Sequence, residues 1–219
     1  MRSVASSSVS SAENGADLSA AMSLSGGVAM DEVDQLRAQQ YDLLAVLLGR
    51  APNSDLLSAL AGLKGGDSVL GREVASLGHA AAATNQHAAE REYFDLFVGV
   101  GRGELLPYAS YYLTGFLNER PLARVRDDLA ALGIERDEAM TEPEDHLAIL
   151  LDVMAGLVAG RFEAEAGVER EFYQRHVAPW AGRFFADLER AKAARFYRAV
   201  GTLGRAFLEV EAAAFAMDA

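Results

Sequence analysis

The stretch TEPEDHLAILLDVMAGLV, residues 141–158, passes from a charged segment into an apolar run and decides the fold. Thr141 followed three residues later by Glu144 is typical of a capping box, in which both side chains accept hydrogen bonds from backbone N–H groups. Pro143 suits the first turn of a helix, where no N–H is needed. The apolar residues after it share one helical stripe, which Ile149 and Val153 widen: Leu147, Leu150, Leu151, Met154, Leu157 and Val158. The sequence therefore predicts a helix capped at Thr141 and buried over most of its surface.

The acids and the histidine at the start of this run allow two interpretations. Negative side chains near a helix N-terminus stabilise it by complementing the helix dipole. The same side chains would also line a charged opening beside the core, as a binding site would require. They are Glu142, Glu144, Asp145 and His146. Capping is the commoner role for such residues, and both interpretations remain open at this point.

Composition narrows the function classes. The chain has 219 residues, no cysteine and a net charge of −12. The length suits one domain of ordinary size plus a tail. The absence of cysteine excludes disulfides and thiolate metal sites. The acidic charge argues against nucleic acid as a partner. No uncharged apolar run is long enough to predict a membrane span.

The chain divides into a tail and one helical domain. Residues 1–29 are rich in Ser, Ala and Gly and contain no aromatic residue, which predicts a disordered tail. From residue 30 to residue 219 the apolar residues recur with helical spacing. Glycines interrupt the pattern at Gly49, Gly65-Gly66, Gly99–Gly103 and Gly133. We therefore predict an all-α, single-domain bundle of about nine or ten helices.

Catalytic and cofactor motifs are missing from the sequence. There is no Glu-x-x-His pair, no His-Glu-x-x-His and no phosphate-binding Gly-x-x-x-x-Gly-Lys loop. The glycines of Gly99–Gly103 have no strand before them and are interpreted as an interhelical link. His79 and His87 are interpreted as exposed or packed imidazoles rather than as a metal pair. The sequence thus predicts no catalytic residue, metal or cofactor.

An aromatic cluster is the second notable feature. Seven aromatic residues lie between positions 93 and 116: Tyr93, Phe94, Phe97, Tyr108, Tyr111, Tyr112 and Phe116. Core packing explains part of the cluster, but tyrosine keeps its hydroxyl hydrated, so several together indicate the wall of a groove. Glu92, Asp95 and Glu104 are expected to edge it. Such a groove would accept a segment that is apolar in one part and Arg-rich in another.

Three motifs together resemble the TorD/DmsD family of redox-enzyme maturation chaperones. They are Glu92-Tyr93-Phe94-x-Leu96-Phe97, Pro107-x-x-Ser110-Tyr111-Tyr112 after a glycine-rich link, and Glu142-Pro143-x-Asp145-His146. The resemblance covers roughly residues 33–212. It implies an all-helical, non-enzymatic, cytoplasmic protein that binds the twin-arginine signal peptide or the apo form of a molybdenum-containing oxidoreductase until its cofactor is inserted. Members occur as monomers or homodimers, some of them domain-swapped.

The resemblance implies peptide-binding roles at the matching positions, and the aromatic cluster adds Tyr108 and Tyr111. The predicted peptide-binding residues are Tyr93, Leu96, Phe97, Pro107, Tyr108, Ser110, Tyr111, Asp145 and His146, and the hinge motif is Glu142-Pro143. Members that bind signal peptides often carry Trp in the first aromatic helix, whereas here Trp180 is the only Trp. The client is therefore open between a formate-dehydrogenase-type enzyme and a sulfoxide or amine-oxide reductase. The alternative hypothesis is a ligand-binding protein or enzyme that uses Asp145 and His146 as an acid–base pair.

Overall fold

The computed structural model describes residues 2–3, 32–135 and 141–217. The described chain is built from ten α-helices: α1 (Glu32–Gly49), α2 (Ser54–Ala61), α3 (Val69–Ala82), α4 (Gln86–Tyr93), α5 (Ala109–Thr114), α6 (Arg120–Ala131), α7 (Leu147–Val158), α8 (Val168–Phe172), α9 (Ala181–Arg190) and α10 (Phe196–Met217). Helices α4 and α8 each continue into one π-helical turn, Phe94–Val98 and Tyr173–Val177. The prediction of an all-α bundle is confirmed.

Helix α7 lies at the centre of the bundle. Every residue of α7 except Asp152 is buried, and its main neighbour is α1. A Cβ atom placed on Gly156 would lie 2.1 Å from the ring of Phe162, so only glycine lets that ring close over the helix. The predicted buried helix is confirmed, and it ends close to where the apolar run ends.

The start of α7 differs from the prediction. The helix begins at Leu147, and its N-cap is His146, whose Nδ1 accepts a hydrogen bond from the N–H of Ala148 at 3.1 Å. Thr141 is exposed and lies five residues before the N-cap, so the predicted capping box of Thr141 and Glu144 is wrong. Glu144 instead pairs with Arg126 of α6 at 2.9 Å.

Long-range backbone hydrogen bonds explain this difference. The N–H of Ala109 donates to the carbonyl of Asp145 at 3.0 Å, and the N–H of Leu147 donates to the carbonyl of Pro107 at 2.8 Å. The two segments form an antiparallel bridge between Tyr108 and His146. Residues held extended in this way cannot also form the first turn of a helix, so α7 starts only after the bridge.

Two acids predicted to edge a groove have structural roles instead. Glu92 on α4 is buried, and its carboxylate accepts hydrogen bonds from the N–H groups of Arg195, Phe196 and Tyr197 at the start of α10. Glu104 accepts from the N–H groups just before that start, at positions 192 and 193. Glu92 therefore satisfies donors at the N-terminus of α10, and Glu104 satisfies two donors of the segment before it, so neither carboxylate is available to edge a groove as predicted.

Little of the predicted tail falls among the described residues. Arg2–Ser3 forms a two-residue strand, β1, which runs parallel to β2 (Ile134–Glu135). The rest of residues 1–29 lies outside the described ranges, so the division into a disordered tail and a domain stays a prediction. Among the described helices, none combines the length and the apolarity that crossing a membrane requires.

Candidate functional site

Five predicted residues meet where α5 begins and α7 begins. The bridge between Tyr108 and His146 brings the segment before α5 against the segment before α7. The carboxylate of Asp145 adds a link, since its Oδ2 accepts from the N–H of Ser110 at 2.8 Å. We call Tyr108, Ser110, Glu142, Asp145 and His146 the tyrosine–carboxylate cluster. The two segments that carry these residues lie about 35 positions apart in the sequence, and the fold brings them together.

Tyr108 and Glu142 form the outer layer of the cluster. The Tyr108 hydroxyl donates a hydrogen bond to Oε2 of Glu142, and the tyrosine ring stands edge-on to the His146 ring with centroids 5.1 Å apart. Burial of the ring, and next the adjacent Glu142 carboxylate, raise the pKa of Tyr108 above its usual range. The hydroxyl therefore remains a hydrogen-bond donor at neutral pH. Glu142 is exposed, so its carboxylate is accessible to a ligand from solvent.

Asp145 and His146 form the inner layer. Burial lowers the pKa of His146 to about 4, and Glu142 opposes that shift only in part. The ring is therefore neutral near pH 7, as its role as an N-cap acceptor requires. Asp145 is 1% exposed and His146 is 5% exposed. A ligand reaches either side chain only if the segments before α5 and α7 separate.

Two buried polar atoms in the inner layer lack hydrogen-bond partners. Among the described residues, neither Oδ1 of Asp145 nor Oγ of Ser110 has a partner. Each such atom costs about 1–3 kcal/mol relative to a satisfied one. The cluster thus holds one bonded and one unsatisfied carboxylate oxygen side by side.

Tyr93 lies near Glu142 of the cluster, Phe97 packs on Tyr93, and Leu96 lies in the core. The Tyr93 hydroxyl donates to the carbonyl of Leu48 at 3.2 Å, and burial followed by the charge of Glu142 raises the pKa of Tyr93 to about 12. Phe97 packs on Tyr93 with ring centroids 5.0 Å apart. Leu96 is fully buried in the core. Pro107, also buried, contributes its carbonyl to α7.

Tyr111 lies on a second surface of α5. Its hydroxyl accepts a hydrogen bond from Arg102 at 2.7 Å, and the Arg102 guanidinium also lies 5.2 Å from the Tyr111 ring centroid. Tyr111 contacts Tyr112, which packs against Trp180 at 5.3 Å. The structure therefore separates Tyr111 from the tyrosine–carboxylate cluster and connects it to the aromatic core.

Exposed apolar side chains occur in the same stretch of chain as these residues, and most of them are not predicted from the sequence. Half of the exposed large apolar side chains among the described residues fall within one short region: Phe94, Val98, Val100, Leu113, Phe116 and Leu117. Phe94 and Phe116 belong to the aromatic cluster that the sequence analysis named, whereas the exposed valines and leucines do not. Their sequence signal is their position beside glycines, in segments too short to bury them.

The alternative of an acid–base pair has no geometric support. Among the described residues, the Asp145 carboxylate bonds only to the N–H of Ser110, and the His146 Nδ1 is occupied by the N–H of Ala148. The same part of the chain holds no group of three acids or histidines arranged for a metal ion. His79 and His87 are both exposed, as expected.

Comparisons with known proteins extend these observations. The model of the nitrate reductase delta subunit family matches residues 65–186, which is more than half of the chain. The chaperone protein TorD of Aliivibrio fischeri is 30% identical over 200 residues, covering 86% of this chain and 87% of that protein. The TorD chaperone of Vibrio cholerae strain O395 is 34% identical over 127 residues, but the match spans 54% of this chain and only 58% of that protein.

A solved structure agrees with this assignment at the level of the fold. The crystal structure of a putative redox enzyme maturation protein from Archaeoglobus fulgidus matches with a TM-score of 0.54 and 18% identity, covering 80% of this chain and 94% of that chain. The sequence relatives are named chaperones, which confirms the prediction of a chaperone rather than an enzyme. By its motifs, its fold and these matches, the chain belongs to the TorD/DmsD family of redox-enzyme maturation chaperones.

Proposed function

We propose that this chain is a cytoplasmic chaperone dedicated to one molybdenum-containing oxidoreductase. It binds the twin-arginine signal peptide or the apo form of the catalytic subunit, assists cofactor insertion, and then releases the client for assembly or export. The observation that carries the proposal is the pairing of the exposed Glu142 carboxylate with Tyr108, which belongs to a stretch of chain, residues 94–117, rich in exposed apolar side chains. A cation beside an apolar segment is the ligand that this combination fits.

In this proposal the outer layer of the cluster receives the arginine. Glu142 accepts a guanidinium as a charge-assisted pair, while Tyr108 fixes the carboxylate and offers its ring. Exposed side chains such as Phe116 and Val100 then cover the apolar part of the peptide. Asp145 and Ser110 hold the two segments together, and they contact the peptide only when those segments separate.

The remaining partner predictions belong to the same proposal. The client is a formate-dehydrogenase-type enzyme or a sulfoxide or amine-oxide reductase, and the chaperone itself holds no cofactor and binds no nucleic acid. The net charge of −12 favours a basic peptide over a nucleic acid. The protein acts as a monomer or as a homodimer, and Glu142-Pro143 is the hinge at which two copies could exchange helices.

Titration calorimetry tests the binding step. The probe is a synthetic peptide with two adjacent arginines ahead of an apolar run of about 12 residues. We expect Glu142→Gln to weaken binding about tenfold, and we expect this loss to shrink for a peptide in which glutamines replace both arginines. Glu73→Gln, which removes an acid from α3, is the matched control and should bind like the unaltered chain. If the unaltered chain does not bind the arginine peptide, that result would contradict the proposed function.

The maturation step is tested in cells. In a strain that lacks the chaperone, we expect the client oxidoreductase encoded in the same genome to accumulate without its molybdenum cofactor. Restoring the unaltered chain should restore the bound molybdenum, whereas Glu142→Gln should restore less of it. Full cofactor loading in the absence of the chaperone would show that the chain has no role in maturation.

A further inference from the structure

The chain carries a second concave surface, which the tyrosine–carboxylate cluster does not use. We call it the α6–α8 cleft: it lies between the end of α6, the loop after α7 and helix α8, and its volume is about 350 Å³. Its apolar floor includes Leu132, Val168 and Phe172. Helix α6 separates the cleft from the tyrosine–carboxylate cluster. Arg126 of α6 pairs with Glu144 beside the cluster. Asp128 lies about 200° further round the same helix and lines the cleft.

The rim of the α6–α8 cleft carries uncompensated negative charge. Glu163, Glu165 and Glu171 are exposed at the rim, and their carboxylates form no ion pair or hydrogen bond within the described ranges. Arg175 is the cation of the lining, and it is already paired with Asp128 at 2.7 Å. Asp128 is also held by Nε2 of the buried His176 at 2.6 Å. Three acids therefore face solvent around an apolar floor, and no cation of the described chain pairs with them.

An extended backbone already lies near this cleft. Strand β2 begins two residues after Leu132, and the backbone of Arg2–Ser3 pairs with it in parallel register. The edge of β2 that accepts a strand is therefore already occupied by this chain, and any further segment would have to bind on the floor and rim of the cleft itself. A shallow apolar floor and an acidic rim fit a peptide better than a compact small molecule.

We propose that the α6–α8 cleft is a second docking site, for a basic and apolar extended segment of the client polypeptide. One or two arginine or lysine side chains of that segment pair with Glu163, Glu165 and Glu171, and an adjacent aliphatic or aromatic side chain covers Leu132 and Phe172. The proposal goes beyond the signal-peptide site and rests on the proposed function only for the identity of the partner. Two anchors on one client would raise its overall affinity by making the second contact intramolecular.

The test uses a short synthetic peptide, acetyl-Ala-Arg-Leu-Leu-Arg-Ala-amide, titrated into the full-length protein while backbone amide NMR signals are followed. We expect signals of residues around Leu132, Val168 and Phe172 to shift, whether or not the peptide also shifts signals around Tyr108 by binding at the arginine site of Glu142. The triple variant Glu163→Gln, Glu165→Gln, Glu171→Gln should bind the peptide about tenfold more weakly. Glu142→Gln, which alters the signal-peptide site, should leave the shifts at the α6–α8 cleft unchanged.

Two controls separate docking from general attraction to an acidic protein. The variant Asp55→Asn, Asp67→Asn, Glu73→Gln removes the same charge from the α2–α3 pair, and it should bind like the unaltered chain. A peptide with glutamines in place of both arginines should lose the same affinity as the rim variant loses. Equal weakening by both triple variants, or shifts around Tyr108 with none at the α6–α8 cleft, would overturn the proposal while leaving the proposed function intact.

The chain's own N-terminal segment is the competing occupant. A variant lacking residues 1–29 should bind the peptide with unchanged affinity if the cleft serves the client. A clear gain in affinity would show instead that the chain's own segment occupies the cleft, and the assignment to the client would fail. Failure of the arginine-rich signal peptide to bind at Glu142 is a separate result, which concerns the proposed function alone.

Discussion

Glu92 and Asp145 are both buried carboxylates that accept hydrogen bonds from the backbone of a distant segment, yet their surroundings differ. Glu92 uses both oxygens, which accept from three N–H groups at 2.7–3.1 Å. Asp145 uses one oxygen, at 2.8 Å from the N–H of Ser110, and its other oxygen has no partner among the described residues. The comparison indicates that the contact at α10 serves stability. At the start of α7, by contrast, one oxygen of Asp145 can still accept a hydrogen bond.

The largest expected effect is at the satisfied carboxylate. Glu92→Ala should lower the free energy of unfolding by about 3 kcal/mol, because it removes charge-assisted hydrogen bonds and leaves buried N–H groups at the start of α10 unpaired. Urea denaturation measures this change. Glu90→Ala, on the exposed side of the same helix, is the control and should cost less than about 0.5 kcal/mol. Similar losses in the two variants would show that Glu92 does not act as the cap of α10.

The next effect concerns pH and the histidine beside Asp145. The pKa of His146 is about 4 in the folded chain against its ordinary 6.5, so the unfolded chain binds more protons between these values. The stabilisation is therefore complete above about pH 6.5 and is lost as the pH falls toward about 4. At pH 5 we expect the folded chain to have lost about 2 kcal/mol of stability relative to pH 7.5.

The matched variant for this pH effect is His146→Asn, which keeps an N-cap acceptor but cannot titrate. Its free energy of unfolding should fall less between pH 7.5 and pH 5 than that of the unaltered chain. The pKa of His176 is also lowered by burial, but this residue is present in both proteins and its contribution cancels. The same pH dependence in the two proteins would mean that His146 is not the group responsible.

A smaller effect is expected at the half-satisfied carboxylate. Asp145→Asn should change the free energy of unfolding by less than about 1 kcal/mol, because the amide oxygen still accepts from Ser110 and its NH₂ group can donate to the unpartnered Ser110 hydroxyl. Thermal or urea unfolding beside Glu92→Gln gives the direct comparison, since that change also replaces a buried carboxylate by an amide. A loss at Asp145 as large as the loss at Glu92 would remove the distinction between the two contacts.

The smallest effect is expected at Thr141. An N-cap residue costs about 1 kcal/mol when it is replaced by Ala, but Thr141 is exposed and lies before the helix. Thr141→Ala should therefore change stability by less than about 0.5 kcal/mol. A cost near 1 kcal/mol in urea denaturation would show that the helix starts earlier in solution, as the sequence pattern suggests.

These cases show which parts of the molecule the sequence makes predictable. The apolar stripe of α7 is a local, periodic pattern, and it predicted both the helix and its burial correctly. The start of the same helix depends on Pro107 and Ala109, and the cap of α10 depends on an acid more than 100 positions away. Contacts at such separations leave no periodic signal in one sequence, so the sequence alone predicts Thr141 as the cap and Glu92 as a groove edge.

The candidate site was predictable through its motif residues rather than through their roles. Tyr108, Ser110, Asp145 and His146 were all selected, and the fold brings them together. Their division into an exposed layer and a buried layer depends on tertiary packing, which a single sequence does not specify. Leu96 illustrates the limit: its motif position implied a peptide contact, but the side chain is fully buried in the core.

The π-helical turn Phe94–Val98 sets the direction in which the aromatic side chains of this region point. Its closing hydrogen bond runs from the N–H of Gly99 to the carbonyl of Phe94, so the turn holds one residue more than an α-helical turn. Removing one residue from it would restore the α-helical repeat and rotate everything beyond it by about 100°. Phe97 would then leave Tyr93 and Tyr197, and the glycine loop with Arg102 would swing away from Tyr111. The extra residue therefore fixes the rotation of the glycine loop about the helix axis, and this rotation brings Arg102 to Tyr111 of α5.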